Sequence, residues 1–266
     1  MSLPAPRDVI DALIDIALDA GASIMEIYAT DFAVDNKTDA SPVTAADKKG
    51  EAIILRELNA FAPSVPVLAE EAASEGEIPD LGDEFFLVDP LDGTREFINR
   101  TGEFTVNIAL VRHGEPVLGV VFAPAIKKLY AGAKDIGAFM MITDENGKRG
   151  ALNPIAARAP AEDGMVAVAS RSHRSPETDQ FLSELKIKDF AAAGSSLKFC
   201  LIAEGAADIY PRLGRTMEWD TGAGQAVLEA AGGGVDAHPS GERLLYKKAE
   251  RGYDNPHFIA WGRRPA

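Results

Sequence analysis

Residues 85–97 constrain this chain more than any other stretch. The apolar run Phe85-Phe86-Leu87-Val88 reads as a buried strand, and it ends abruptly in Asp89-Pro90-Leu91-Asp92-Gly93-Thr94-Arg95-Glu96-Phe97. Two carboxylates at the mouth of a buried strand are costly to desolvate unless a positive charge sits between them. The Gly93-Thr94 step opens a segment able to turn helical, and backbone N–H groups at a helix start favour an anion. One stretch thus offers a seat for a cation beside a seat for a phosphate. The same residues also make an ordinary Asp-Pro turn with a helix cap, since Asp, Pro and Gly are common turn residues. Taken alone, the stretch leaves both readings open.

The chain has 266 residues, 46% of them hydrophobic, enough for a large core in one domain or two intimate halves. Its net charge of -14 argues against affinity for nucleic-acid polymers or anionic lipid. A small anionic substrate stays open, because a bound metal ion reverses the local sign. Cys200 is the single cysteine, so no intrachain disulfide forms. That fits a reducing compartment, and Cys200 within Phe199-Cys200-Leu201-Ile202 reads as a core residue. The N-terminal apolar positions are interrupted by Asp11, Asp15 and Asp19, unlike a signal peptide. No run of about 18 apolar residues suggests a membrane span.

Apolar residues from Val9 to Ile27 recur at helical spacing and predict a helix from Pro6 to about Tyr28. The polar segment 30–40 reads as a loop. Thr44 is an N-cap with Asp47 three residues on, which predicts a capping box and a helix to about Phe61, with Ala52, Ile53, Ile54 and Leu58 inward. Pro66-Val67-Leu68-Ala69 is a short strand that ends in Glu70-Glu71, followed by an acidic loop over 72–84. After residue 97 the pattern turns β, with a hairpin signal at Gly114-Glu115-Pro116. An Ala/Pro-rich stretch from Asn153 marks a candidate boundary, which divides the chain into an α+β half, 1–152, and an α/β half, 153–266. In the second half, strands near 165–169, 190–193 and 207–210 alternate with helices, the last expected from Trp219 to Ala231 with Asp220 at its opening.

Five acids stand at element ends: Asp47, Glu70, Asp89, Asp92 and Asp220. Without paired His or Cys ligands, zinc is disfavoured. An all-oxygen set suits Mg²⁺ or Mn²⁺, and several carboxylates can hold two ions for phosphoryl transfer. The ordinary role of Asp47 alone is a favourable charge at a helix start.

The blocks around Asp47, Ala69-Glu70-Glu71, Asp89-Pro90-Leu91-Asp92-Gly93-Thr94 and Trp219-Asp220-Thr221-Gly222-Ala223-Gly224 resemble the inositol-monophosphatase superfamily of Mg²⁺-dependent, typically lithium-sensitive phosphatases. The closer resemblance is to its bacterial 3'(2'),5'-bisphosphate nucleotidases. It is carried by Gly93 to Ile98, Gly102 to Asn107, Ser170-Arg171-Ser172-His173, Gly194-Ser195-Ser196-Leu197-Lys198-Phe199-Cys200 and Tyr210-Pro211-Arg212. One departure is Gly222, where the family more often has Ala.

The resemblance implies a layered α/β/α/β/α sandwich and a place in sulfur assimilation. It implies that Glu70, Asp89 and the Leu91 carbonyl hold one Mg²⁺ and that Asp89, Asp92 and Asp220 hold a second, with a third ion or Mn²⁺ also compatible. Asp47 and Thr94 would orient and deprotonate the attacking water, and Gly93 and Thr94 amides would hold phosphate oxygens, with Glu70 and Asp220 also bordering the substrate. Ser195, Ser196, Lys198 and Arg212 would bind a second phosphate of a small nucleotide substrate, and His173 would contact the nucleoside. For His173 a surface-loop residue is the competing reading and for Lys198 a solvated helix residue; Glu71 reads as an acid behind the metal ligands or as an exposed one. Inositol or sugar phosphatase activity on the same metal core, or a non-catalytic binder, are the alternatives. A cytoplasmic location is expected, with a homodimer and peripheral attachment to the inner membrane both left open.

Overall fold

A computed structural model describes residues 3–36, 42–144, 147–169 and 175–263. In chain order the elements are α1 (Pro6–Tyr28), β1 (Val34–Asn36), β2 (Pro42–Thr44), α2 (Ala45–Phe61), β3 (Val67–Ala69), α3 (Glu70–Ser74), β4 (Glu84–Asp92), α4 (Thr94–Ile98), β5 (Thr105–Arg112), β6 (Glu115–Ala123), β7 (Lys128–Ala133), β8 (Gly137–Ile142), β9 (Asn153–Ile155), β10 (Met165–Ala169), α5 (Pro176–Ser183), β11 (Ile187–Ala192), α6 (Leu197–Ala203), β12 (Ile209–Arg212), α7 (Gly222–Ala230), β13 (Gly234–Ala237) and β14 (Phe258–Trp261). Among the described residues no helix is long and apolar enough to cross a membrane.

A seven-stranded sheet runs β3-β4-β5-β6-β7-β8-β9, and a five-stranded sheet runs β11-β10-β12-β14-β13. In the large sheet only β3 pairs parallel with its neighbour; the rest is an antiparallel meander. The central strands of the large sheet, β4 to β7, are buried on both faces, so they read as nearly continuous apolar runs. Phe86 and Val88 of β4 join the core beneath α1 and α2, whereas Phe85 and Leu87 join the core beneath α6 and α7. The second pair of helices lies between the two sheets, and α5 covers the far face of the small one through Leu182 against Ile209 and Ile259. The order of layers is therefore α/β/α/β/α, as the resemblance implies.

The central helix lies unusually close to the large sheet. A β-carbon on Gly119 of β6 would fall 2.4 Å from the Ala223 carbonyl oxygen, and one on Gly132 of β7 would fall 2.8 Å from the Val227 Cα. Gly222 belongs to the same contact, since its β-carbon would stand 2.8 Å from Leu87 Cδ2. Tyr246 packs over this spot and donates to Gln225 at 2.8 Å. The glycine at position 222 is thus matched to local packing, where helix propensity alone would favour alanine.

Three local expectations are corrected. Ala52 is exposed, and Glu51 takes the inward place on α2 beside Ile54 and Leu58. Residues 70–74 form a helical turn before the acidic loop begins. Asp220 does not open the last helix: Trp219, Asp220 and Thr221 form a turn, and α7 starts at Gly222. The turn forms because the Glu218 carbonyl accepts the N–H groups of both Thr221 and Gly222, and the Asp220 carboxylate folds back onto the Met217 N–H.

Candidate active site

The site starts from the register of two neighbouring strands. β3 and β4 run parallel with Ala69 opposite Val88. The next residue after each of these is an acid, so Glu70, the first residue of α3, and Asp89, still within β4, come at the same level of the sheet. Beyond Asp89 the pairing with β5 slips. Asp89 faces Asn107 and Asp92 faces Thr105, so Pro90 and Leu91 together oppose the single residue Val106. Such a bulge re-aims side chains, and proline fits it because it has no ladder donor to lose. The Asp89 carboxylate accepts the Leu91 N–H at 3.0 Å and stiffens the turn.

Gly93 follows in the left-handed region, at φ 91°, and caps α4. A side chain here is excluded twice, by the backbone and by Ser195, whose hydroxyl oxygen would lie 2.1 Å from a β-carbon. The Ser195 hydroxyl sits between the carbonyl oxygens of Asp92 and Glu103, 2.8 Å from each. The second half of the chain is thereby fastened to the Asp92–Thr94 turn of the first.

Thr94 and Asp47 meet as implied. The Thr44 N–H and hydroxyl both donate to Asp47 Oδ2 at 2.7 Å, which closes the capping box of α2. The other oxygen, Oδ1, accepts the Thr94 hydroxyl at 3.2 Å. One carboxylate therefore caps its own helix and holds Thr94.

These residues border a cavity of about 290 Å³ lined by Glu70, Asp92, Gly93, Thr94, Ser195, Lys198, Arg212 and Asp220, together with Arg95, Glu96 and Tyr210. Burial, then the charges of Glu70, Asp92 and Asp220, push the Asp89 carboxyl far above the ordinary aspartate range. Burial, then Asp92 and Glu70, do the same to Asp220. Asp92 is raised to about 6 by burial, with Lys198 pulling it back down. Among the described residues no three acid, imidazole or thiol groups close into a finished cage. The acids form a concentrated negative field instead, which a bound cation would offset. An all-oxygen, carboxylate-rich set fits a hard divalent ion.

Lys198 is not a solvated helix residue. α6 turns it inward, 8% exposed, with its ammonium 5.4 Å from the Tyr210 ring centre. Burial lowers its pKa, and Asp92 opposes that shift. Arg212 donates to the Arg215 carbonyl at 2.9 Å, while its buried Nε has no protein acceptor and suits an anion in the cavity. Ser196 departs from the implied substrate contact. It is buried, does not line the cavity, donates to the Asp220 carbonyl at 2.7 Å and accepts from Asn107 at 3.0 Å. Its hydroxyl ties the Asp220 turn to β5. His173, with Ser170 to Ser172, lies outside the described residues.

Several residues escaped sequence reasoning. Glu218 is fully buried and binds the N–H groups of Lys247 and Lys248 at 2.9 and 2.8 Å. Asn255 donates to the Met217 carbonyl and to Thr221, which holds the turn carrying Asp220. Nothing local in the sequence marks these partners, because they lie 29 to 38 residues apart in the chain. Glu51 had a usable signal: it lies one helical turn after Asp47, on the same inward stripe as Ile54 and Leu58. Glu71 is buried, which excludes the exposed one of its two readings.

Residues 5–259 match the inositol monophosphatase family. The 3'(2'),5'-bisphosphate nucleotidase CysQ of Shigella flexneri is 43% identical over 252 residues, 94% of this chain and 98% of that one. The protein of the same name from Haemophilus influenzae is 37% identical over 93% of this chain and 90% of that one. Among solved structures, CysQ from Bacteroides thetaiotaomicron superposes with a TM-score of 0.80 at 39% identity, covering 97% of this chain and 98% of that chain. The inositol monophosphatase of Anabaena superposes with a TM-score of 0.74 at 27% identity, covering 97% and 91%. With its fold, its row of acids and nearly its whole length accounted for in this way, the chain belongs to the inositol monophosphatase family.

Proposed function

We propose that the protein is a Mg²⁺-dependent 3'(2'),5'-bisphosphate nucleotidase that hydrolyses the 3'-phosphate of adenosine 3',5'-bisphosphate to give AMP and phosphate. The observation that carries this reading is one cavity in which a cluster of partly buried acids, Glu70, Asp92 and Asp220, faces two cations, Lys198 and Arg212. The acids suit the reacting phosphate through a cation, and Lys198 and Arg212 suit a second phosphate. Relatives named for that activity, 43% identical across 94% of the chain, point the same way.

Glu70, Asp89, the Leu91 carbonyl, Asp92 and Asp220 would hold the ions. When bound, Mg²⁺ lowers the pKa of water and offsets charge on attacking and leaving oxygens. The protein's own part is positioning. Thr94 has one hydroxyl proton, and it points to Asp47. The Thr94 oxygen therefore presents only lone pairs to the cavity. A water that donates to it keeps its own lone pair turned toward phosphorus, and Asp47 is placed to take up a proton through Thr94. Attack forms the new P–O bond as the bond to the 3'-oxygen breaks, and that oxygen leaves with a proton from solvent. Gly93 and Thr94 border the phosphate, while Lys198 and Arg212 orient the substrate by its distal charge. The acids of residues 1–152 and the cations of 153–266 then act as one unit, in a protein of the cytoplasm.

Phosphate release from adenosine 3',5'-bisphosphate, inositol 1-phosphate and fructose 1,6-bisphosphate tests the assignment. The nucleotide is expected to have the highest kcat/KM; a clear preference for either of the others would overturn the substrate while leaving the phosphatase reading in place.

A further inference from the structure

Helix α3 begins on Glu70 yet lacks a cap of its own, because Ala69 at its N-cap has no side-chain acceptor. First-turn amides without an intrahelical partner need acceptors from elsewhere. They find them on α2. Glu51 Oε2 accepts the Glu71 N–H at 2.8 Å, and Oε1 accepts the Ala72 N–H at 2.8 Å. Glu51 is buried, and both of its oxygens are used on successive amides of one turn.

One helical turn earlier on the same face stands Asp47, which holds Thr94. Two acids at this spacing repel each other on a helix. Here each is bound to a different piece of the site: Asp47 to the start of α4, Glu51 to the start of α3. α2 works as a ruler between the water-orienting hydroxyl and the Glu70 carboxylate.

We propose that Glu51 is a positioning residue for Glu70, delivering from α2 the cap that sets where the Glu70 carboxylate meets its ion. The hydrogen bonds stand by themselves, but their consequence rests on the phosphatase reading, which makes Glu70 an ion ligand. Glutamine at position 51 would keep one acceptor and turn its NH₂ toward the second N–H, donor against donor. Partners behind a metal ligand typically change ion affinity by about 10- to 100-fold when mutated.

The test is calorimetric titration of Glu51→Gln and wild type with Mg²⁺, alongside the Mg²⁺ dependence of turnover. E51Q is expected to bind Mg²⁺ about tenfold or more weakly. Half-maximal activity should move to higher Mg²⁺ in parallel, with kcat at saturating Mg²⁺ within about threefold of wild type, since the reacting groups are intact. A Mg²⁺ affinity within about twofold of wild type, whatever happens to Tm, would make Glu51 a structural cap only and overturn the proposal. If E51Q does not fold, Glu51→Asp carries the same expectation, because it keeps the charge but falls one methylene short of spanning both amides. Wild type that binds no Mg²⁺ would defeat the phosphatase reading itself, and this role with it.

Discussion

Gly93 and Ser195 stand so close that a β-carbon on the glycine would lie 2.1 Å from the serine hydroxyl oxygen. Gly93 is at φ 91° and Ser195 at φ 51°, so two left-handed residues from opposite halves of the chain meet at the turn that opens α4. Gly93→Ala should therefore do more than strain a turn. The backbone alone costs about 1–3 kcal/mol, and Ser195 must give up its hydrogen bonds to Asp92 and Glu103. Thermal unfolding should show Tm lower by several degrees, and phosphate release should be nearly lost. Wild-type turnover in G93A would show that this contact does not shape the site.

The Thr94–Asp47 contact predicts a pair of outcomes. Thr94→Ala removes the oxygen that orients water, so kcat should fall about a hundredfold or more with little change in KM. Thr94→Ser keeps the hydroxyl and should stay within about tenfold. Equal losses in both variants, read by steady-state kinetics, would assign Thr94 a packing role instead.

The acid cluster predicts how stability varies with pH when metal is withheld. Asp92 is raised to about 6, and Asp89 and Asp220 also lie well above the unfolded value, about 3.9. A folded state that binds more protons than the unfolded one loses stability as pH rises. The metal-free protein should therefore have its stabilising protons in place near pH 4 and a falling Tm from there through pH 6 and above, relative to a variant with Asp89→Asn. Added Mg²⁺ should flatten the slope near neutrality. Differential scanning calorimetry at several pH values, with and without chelator, reads this directly; a slope unchanged by Mg²⁺ would count against an ion among these acids.

Lys198 separates recognition from chemistry. Lys198→Met keeps the buried stem and removes the charge. A charge-assisted hydrogen bond lost from substrate is worth about 10- to 100-fold, so kcat/KM for adenosine 3',5'-bisphosphate should fall by that factor. Hydrolysis of 3'-AMP, which lacks the second phosphate, should change much less. Parallel losses on both substrates would show Lys198 serving the acids and not the distal phosphate.

Much of this was legible in the chain because its signals are local. The capping box at Thr44 and Asp47, the apolar run into Asp89 and the glycine at 93 each announce their geometry within a few residues. What stayed hidden depends on distant neighbours. For Lys198 a solvated reading stands beside the phosphate-binding one until α6 is packed against α7, and Ser196 reads as a substrate contact until Asn107 of β5 is found against its hydroxyl. The start of α7 was placed too early because the Trp219–Thr221 turn is held by Asn255 and Glu218, whose partners lie far along the sequence. Glu51 was the avoidable omission: an acid on an inward helical stripe is costly unless it binds something.

The most direct test of the central claim compares phosphate release from adenosine 3',5'-bisphosphate by wild type and Asp89→Asn across a Mg²⁺ titration. Turnover by wild type should require Mg²⁺ and vanish with chelator. D89N should be inactive at every Mg²⁺ concentration while its metal-free Tm matches or exceeds that of wild type, because a buried, disfavoured charge has been removed. Activity in D89N, or wild-type turnover without any divalent ion, would contradict the account.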